Sequence, residues 1–148
     1  SVLNGLKTCR SNTKHVLIHD GARAFCPPTL LNNLCENLLE HGGGVVPALP
    51  LVDTIVKVTD DHQTKIQLTL DRDRLRRVQT PQAFEYCLIL KAYLLGKKNN
   101  FKGTDCSSYF LQLGHEVKVI EGSEENIKVT TPIDVEIVKH IMKTRDVL

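Results

Sequence analysis

His19-Asp20-Gly21-Ala22-Arg23 places a carboxylate, a glycine and a guanidinium within five positions, directly after an apolar run. A carboxylate in such a loop can orient a hydroxyl or a cation, and an arginine can grip a phosphate with its planar fork. Gly21 would let a ligand come close to the backbone. The same residues also suit a plain Asp-Gly turn whose arginine only pairs. Thr80-Pro81-Gln82 and Asn126-Ile127-Lys128-Val129-Thr130 add hydroxyls and a lysine after strand-like segments. These positions suit a phosphate or a ribose, although each alone also fits an ordinary surface. Asp71-Arg72-Asp73-Arg74-Leu75-Arg76-Arg77 carries four arginines in seven positions. That stretch reads either as a solvated, internally paired face or as an anion site.

Groups so far apart in sequence converge only if a sheet brings them together. His15 to His19 is a short apolar run that predicts a buried strand ending in the Asp20-Gly21 loop. Pro27-Pro28 opens a helix whose Leu30, Leu31, Leu34, Cys35, Leu38 and Leu39 keep three-and-four spacing, and Gly42-Gly43-Gly44 stops it. Val45 to Leu49 predicts a second strand. Thr54 to Val58 and Lys65 to Leu70 alternate around the polar turn Thr59 to Thr64, which predicts an exposed antiparallel hairpin, an arm over roughly 51–74. Thr80-Pro81-Gln82 predicts a helix start, with Phe84, Cys87, Leu88 and Leu95 on the helix. Thr104 or Asp105 can cap a shorter helix through Leu113. Val117 to Ile120 and Asn126 to Val129 read as strands, and Pro132 begins a terminal helix with Ile133, Ile137, Val138, Ile141 and Met142 inward. Strands alternating with helices predict an α/β fold, a mainly parallel sheet with helices on both faces, and ligands beyond the carboxyl ends of its strands.

A length of 148 residues predicts one domain, and 41% hydrophobic with 24% charged residues is a globular composition. No apolar run approaches the ~18 residues of a membrane span. A net charge of +2, from 19 basic and 17 acidic residues, calls for neither nucleic acid nor an anionic membrane as partner. The five cysteines, Cys9, Cys26, Cys35, Cys87 and Cys106, are odd in number and never form Cys-x-x-Cys, which argues against zinc and disulfide frameworks. Cys35 and Cys87 fall on apolar helical stripes and read as small core residues. The expected compartment is reducing and cytoplasmic. Six scattered histidines offer no metal-ligand spacing. Position 1 is serine rather than methionine, and the chain enters a helical pattern at once, so it is expected to be part of a longer protein.

In order, the chain holds Ser-Val-x-x-Gly-Leu (1–6), His-Asp-Gly-Ala-Arg (19–23), Asp-Thr (53–54), Leu-Asp-Arg (70–72), Gln-Thr-Pro-Gln (79–82), Gly-Thr-Asp (103–105) and Glu-Gly-x-x-x-Asn-Ile-Lys-Val-Thr-x-Pro (121–132). This set closely resembles the 2-C-methyl-D-erythritol 4-phosphate cytidylyltransferases of the non-mevalonate isoprenoid pathway. The resemblance implies a Rossmann-like fold that transfers CMP from CTP to a sugar-alcohol phosphate, with Mg2+ carried mainly on the CTP phosphates. It implies nucleotide contacts at Ser1, Asp20, Thr80, Lys128 and Thr130, with Lys128 and Asp20 catalytic. Arg23, Thr54, Arg72, Thr104 and Asp105 would bind the sugar phosphate, with Thr54 and Arg72 reaching across a homodimer from the arm. The implied location is the cytoplasm, or a plastid stroma in a eukaryote. The family's glycine-rich phosphate loop is absent from the chain, which should then bind CTP poorly. Cys106-Ser107-Ser108 replaces the usual acidic residue and alanine, and Ala24 a common proline. Ribitol 5-phosphate is the alternative acceptor, and a non-catalytic dimerising fragment is the alternative of another class.

Overall fold

A computed structural model describes residues 1–59 and 65–145. In chain order its elements are α1 (Val2–Lys7), β1 (His15–Ile18), α2 (Pro28–His41), β2 (Gly44–Pro50), β3 (Val56–Val58), β4 (Ile66–Thr69), β5 (Arg76–Val78), β6 (Gln82–Glu85), α3 (Tyr86–Lys98), α4 (Cys106–Leu111), β7 (Val117–Glu121) and α5 (Pro132–Arg145). A single 3-10 turn, Arg72–Arg74, precedes β5.

The strand β2 organises the sheet, because every residue from Gly44 to Leu49 is buried. Strand β7 lies parallel along one edge, from Gly44 opposite Val117 to Ala48 opposite Glu121. The other edge is shared by β6, with Val45 opposite Ala83, and by β5, with Ala48 opposite Val78, both antiparallel. β6 also pairs antiparallel with β1, Val16 standing opposite Phe84. Strands β1, β2 and β7 therefore share one direction, and the β5–β6 run opposes it. This is the expected α/β architecture with one reversed segment in the sheet.

Alternation along the strands divides the core between the two faces. Val45 and Ala83 point to one side and pack on Leu30, Leu34 and Leu38 of α2. Val46 and Phe84 point to the other, against Leu6 of α1, Ile89 and Ala92 of α3, and Cys106 and Phe110 of α4. Leu34, Phe84, Ile89 and Phe110 are fully buried, each stabilising the fold by about 1.5–3 kcal/mol. Gly44 is required where it stands, since a Cβ there would lie 2.7 Å from the Phe84 ring. Gly42 closes α2 at φ 68°, its N–H donating to Leu38 O at 2.9 Å.

Strands β3 and β4 pair antiparallel as a separate two-stranded ribbon, as the alternation predicted. Most of the predicted turn, residues 60–64, lies outside the described residues.

Several expectations fail. Residues 82–85 are a strand and not the start of a helix, and α3 begins only at Tyr86. Gln82–Phe84 is a fully buried run, and three such residues carry no period that separates strand from helix. Residues 126–129 form no strand, because a lone ladder-type bond, Val129 N to Ala22 O, is supplemented by side chains rather than a neighbouring strand. Cys35 and Cys87 are exposed, one residue round from the buried rows Leu30-Leu34-Leu38 and Ile89-Ala92-Gly96. Leu39, Ile133, Ile137 and Met142 are likewise exposed, and α5 buries only Val138 and Ile141.

Candidate functional site

The chain leaves β1 through a tight turn closed by Arg23 N–H donating to Asp20 O at 3.0 Å. This turn, the β5–β6 junction, the start of α4, the first residues of α1 and the segment after β7 surround a cleft of about 840 Å³. Two of its walls are built differently.

One wall is charged. Asp20 Oδ2 lies 3.0 Å from Lys128 Nζ and 3.9 Å from Arg23 Nε. The Arg23 side chain is only 12% exposed, and its Nη1 donates to Asn126 O at 2.7 Å. Its Nε is buried with no hydrogen-bond partner among the described residues. Burial lowers the Arg23 pKa, Asp20 opposes that effect, and the nearby positive charge of Arg77 adds to it. A guanidinium keeps its proton regardless, so the wall holds two cations on one carboxylate.

The Thr80 hydroxyl joins this turn to β6. It accepts from Asp20 N–H at 2.9 Å and lies 3.1 Å from His19 Nδ1, while His19 Nε2 lies 2.9 Å from Arg23 O. A carbonyl can only accept, so His19 carries its proton on Nε2, and a neutral ring leaves Nδ1 to accept from Thr80. Asn126, fully buried, donates from Nδ2 to Thr80 O at 2.8 Å. Gln79 clamps Ser123 from both sides, donating to its carbonyl at 2.8 Å and accepting from its N–H at 3.0 Å. Side-chain amides, rather than a strand, thus position the segment carrying Lys128.

The opposite wall is hydrogen-bonded. Asp105 caps α4, its Oδ1 accepting from Ser108 N–H at 2.9 Å and the Ser108 hydroxyl donating back to Asp105 O at 2.7 Å. Asp105 Oδ2 accepts from Gln82 Nε2 at 2.8 Å and Ser107 Oγ at 2.6 Å. Burial disfavours the charged carboxylate, but the bonds from Ser107, Gln82 and Ser108 outweigh it and hold the Asp105 pKa below its ordinary value. Tyr93 stacks on Tyr109 with ring centroids 4.2 Å apart, and its hydroxyl donates to Cys106 Sγ at 3.2 Å. Burial raises the pKa of both Tyr93 and Cys106, so both are neutral near pH 7.

Ser1, Asp20, Arg23, Thr80, Thr104, Asp105 and Lys128 all line this cleft. Thr130 does not: its N–H and hydroxyl bond to Asp134 Oδ2 at the exposed start of α5. Thr54 and Arg72 lie in the arm region, Thr54 exposed and Arg72 Nη1 donating to Val52 O. The arginine stretch is a paired, solvated face, with Arg77 Nη2 bonded to both oxygens of Glu124 at 2.9 and 2.7 Å and Arg76 bonded to the carbonyls of Asp73 and Leu75. Sequence reasoning gave no role to His19, Gln79, Gln82 or Asn126. Their only signal was their place inside the quoted motifs. Among the described residues no three His, Cys, Asp or Glu side chains gather as a metal site, and no helix is long and apolar enough to cross a membrane.

A family model described as IspD, 2-C-methyl-D-erythritol 4-phosphate cytidylyltransferase, matches residues 1–144. The protein of that name from Trichormus variabilis is 42% identical over 99% of this chain and 63% of its own length. One from Alkaliphilus oremlandii is 42% identical over 98% of this chain and 60% of its own. The chain therefore spans less than two thirds of these curated relatives. The crystal structure of the Thermus thermophilus cytidylyltransferase superposes with a TM-score of 0.85 at 27% identity, covering 97% of this chain and 68% of that one. The Anaerococcus prevotii 4-diphosphocytidyl-2C-methyl-D-erythritol synthase gives 0.85 at 33% identity, with 97% and 63% covered.

Proposed function

Because the chain belongs to the IspD family of 2-C-methyl-D-erythritol 4-phosphate cytidylyltransferases, we propose that its cleft serves the transfer of CMP from CTP to 2-C-methyl-D-erythritol 4-phosphate. The observation that carries this reading is the pairing of Lys128 and Arg23 on Asp20, at 3.0 and 3.9 Å, in the wall of the cleft. An oxygen of the acceptor phosphate attacks the α-phosphorus of CTP. The new P–O bond forms as the bond to the β-phosphate oxygen breaks, and pyrophosphate leaves with that electron pair. The attacking oxygen is already anionic, so no general base is needed. Catalysis then depends on alignment and on positive charge around a crowded anionic transition state. Lys128 supplies charge to the nucleotide, Arg23 to the acceptor phosphate, and Asp20 keeps both cations in register between the two.

Ser1 and Thr80, which line the cleft, offer polar contacts to the nucleotide, and Thr130 would reach it only by leaving its bonds to Asp134. Thr104 faces the acceptor. Two carboxylates, Asp20 and Asp105, line the cleft, and Asp105 is already held by three donors. Mg2+ would come bound to the CTP phosphates, whose charge it neutralises. Thr54 and Arg72 would meet the acceptor in a partner subunit's cleft, a role that suits the apolar exposure of the arm, with Val52, whose carbonyl accepts from Arg72, 78% exposed and Ile66 and Leu68 further along the ribbon 67% and 54% exposed.

The test is pyrophosphate release from CTP with methylerythritol phosphate and ribitol 5-phosphate assayed in parallel. Release with methylerythritol phosphate is expected. Release with ribitol phosphate alone would reassign the acceptor, and release with neither would leave a chain that keeps the family's fold without its activity.

A further inference from the structure

On the cytidylyltransferase reading, we infer that Gln82 is a positioning residue, whose side-chain amide locks Asp105 into the cap of α4 and thereby fixes Thr104 in the acceptor side of the cleft. Gln82 is 1% exposed and stands at the start of β6, between β1 and β2. Ala83 and Phe84, which follow it, are fully buried. Its backbone pairs with Ile18 of β1, which roots the buried amide at the end of the strand facing α4. Nε2 donates to Asp105 Oδ2 at 2.8 Å, and Oε1 accepts from Ser107 N–H at 3.1 Å. One amide therefore satisfies both the capping carboxylate and an otherwise orphaned N–H in the first turn of the helix.

A carboxylate offers about four lone-pair positions. Gln82 Nε2, Ser107 Oγ and Ser108 N–H occupy three of those on Asp105. Asp105 is left as a structural anion, and its charge would repel an incoming phosphate. Thr104, the next residue toward the cleft, is exposed there, and its hydroxyl has no partner among the described residues. The extended backbone of Asp105, φ −150° and ψ −178°, joins Thr104 directly to the first turn of α4, so a shift of the cap carries Thr104 with it. The lock on Asp105 consequently acts on the ligand through Thr104. A glutamate side chain in place of Gln82 could reproduce both contacts only while protonated, and a leucine could reproduce neither.

Gln82→Glu and Gln82→Leu, made in the full-length protein, separate this role from a purely structural one. The readouts are acceptor KM, CTP KM and the Ser108 amide resonance, from about pH 5.5 to about pH 8. In Gln82→Glu at about pH 8 the introduced carboxylate and Asp105 repel, and the KM for methylerythritol phosphate should rise about tenfold while the CTP KM stays within about twofold. Toward about pH 5.5 the two carboxylates share a proton, the introduced carboxyl donates to Asp105 as the amide did, and the KM should return to the wild-type value. Gln82→Leu should stay impaired at both ends. An unchanged acceptor KM in Gln82→Glu at about pH 8, or equal rises in both KM values at every pH, would overturn the inference. Should the wild-type protein turn over no methylerythritol phosphate, the activity reading fails by itself and the Ser108 resonance decides. A displacement in Gln82→Glu that reverses on acidification upholds the lock, and an unmoved resonance refutes it.

Discussion

The two walls of the cleft hold their shape by opposite means. Asp20, Arg23 and Lys128 form a wall of ion pairs in which Lys128 and Asp20 are 49% and 39% exposed. Asp105, Gln82, Ser107 and Ser108 form a wall of short hydrogen bonds rooted in β6 and the first turn of α4. Exposed charges contribute little to folding, because water screens them and long side chains lose entropy when fixed. The same charges act strongly on a phosphate that displaces the water. The hydrogen-bonded wall contributes to stability and to geometry instead. One wall is therefore expected to govern turnover, and the other to govern the shape that turnover requires.

Breaking the charged wall should give the largest effect. Lys128→Ala is expected to lower kcat by about 100-fold or more and to weaken CTP binding, while stability measured by urea unfolding changes by less than about 0.5 kcal/mol. An unaltered nucleotide titration would remove Lys128 from the site. Arg72→Ala removes a charge that neither wall contains. It should raise the acceptor KM about tenfold and leave CTP affinity intact. Equal loss of both affinities would contradict a contribution from the arm.

The hydrogen-bonded wall answers to stability and acid. Asp105→Ala should cost about 1–2 kcal/mol through loss of the helix cap, measured by urea unfolding near pH 7. Because the folded-state pKa of Asp105 lies below its ordinary value, its stabilisation is complete above the unfolded value of about 3.9 and is lost as pH falls through the lower folded value. The difference between wild type and Asp105→Asn should thus shrink only in strong acid. A difference that shrank near pH 6 would refute the assigned cause. The smallest effect is expected for Arg77→Ala, whose partner Glu124 is 70% exposed. A change of about 0–1 kcal/mol, weaker in high salt, is predicted there.

The same contrast explains what the sequence disclosed. Strand β1, helix α2 with its glycine stop, strand β2 and the β3–β4 ribbon were legible because each has a period or a turn signal of its own. Residues 82–85 were not, since the buried run Gln82–Phe84 is too short to show a period and Pro81 ahead of it resembles a helix start. The segment 126–129 looked apolar enough for a strand, yet Asn126, Arg23 and Gln79 anchor it with side chains. In the cleft, charged residues at loop starts could be picked out by type. Gln82, Gln79 and Asn126 could not, because a buried amide reveals its role only once the atoms facing it are placed. His19 was visible in its motif, but its partners Thr80 and Arg23 O follow from the fold alone.

Phosphorus NMR of CTP and methylerythritol phosphate incubated with the protein and Mg2+ distinguishes transfer of CMP in this cleft from mere binding or hydrolysis of CTP. Transfer predicts loss of the triphosphate signals and the growth of a coupled pair from a diphosphate diester, matched by an equal amount of free pyrophosphate. CMP and pyrophosphate without the diester, or an unchanged triphosphate, would contradict it.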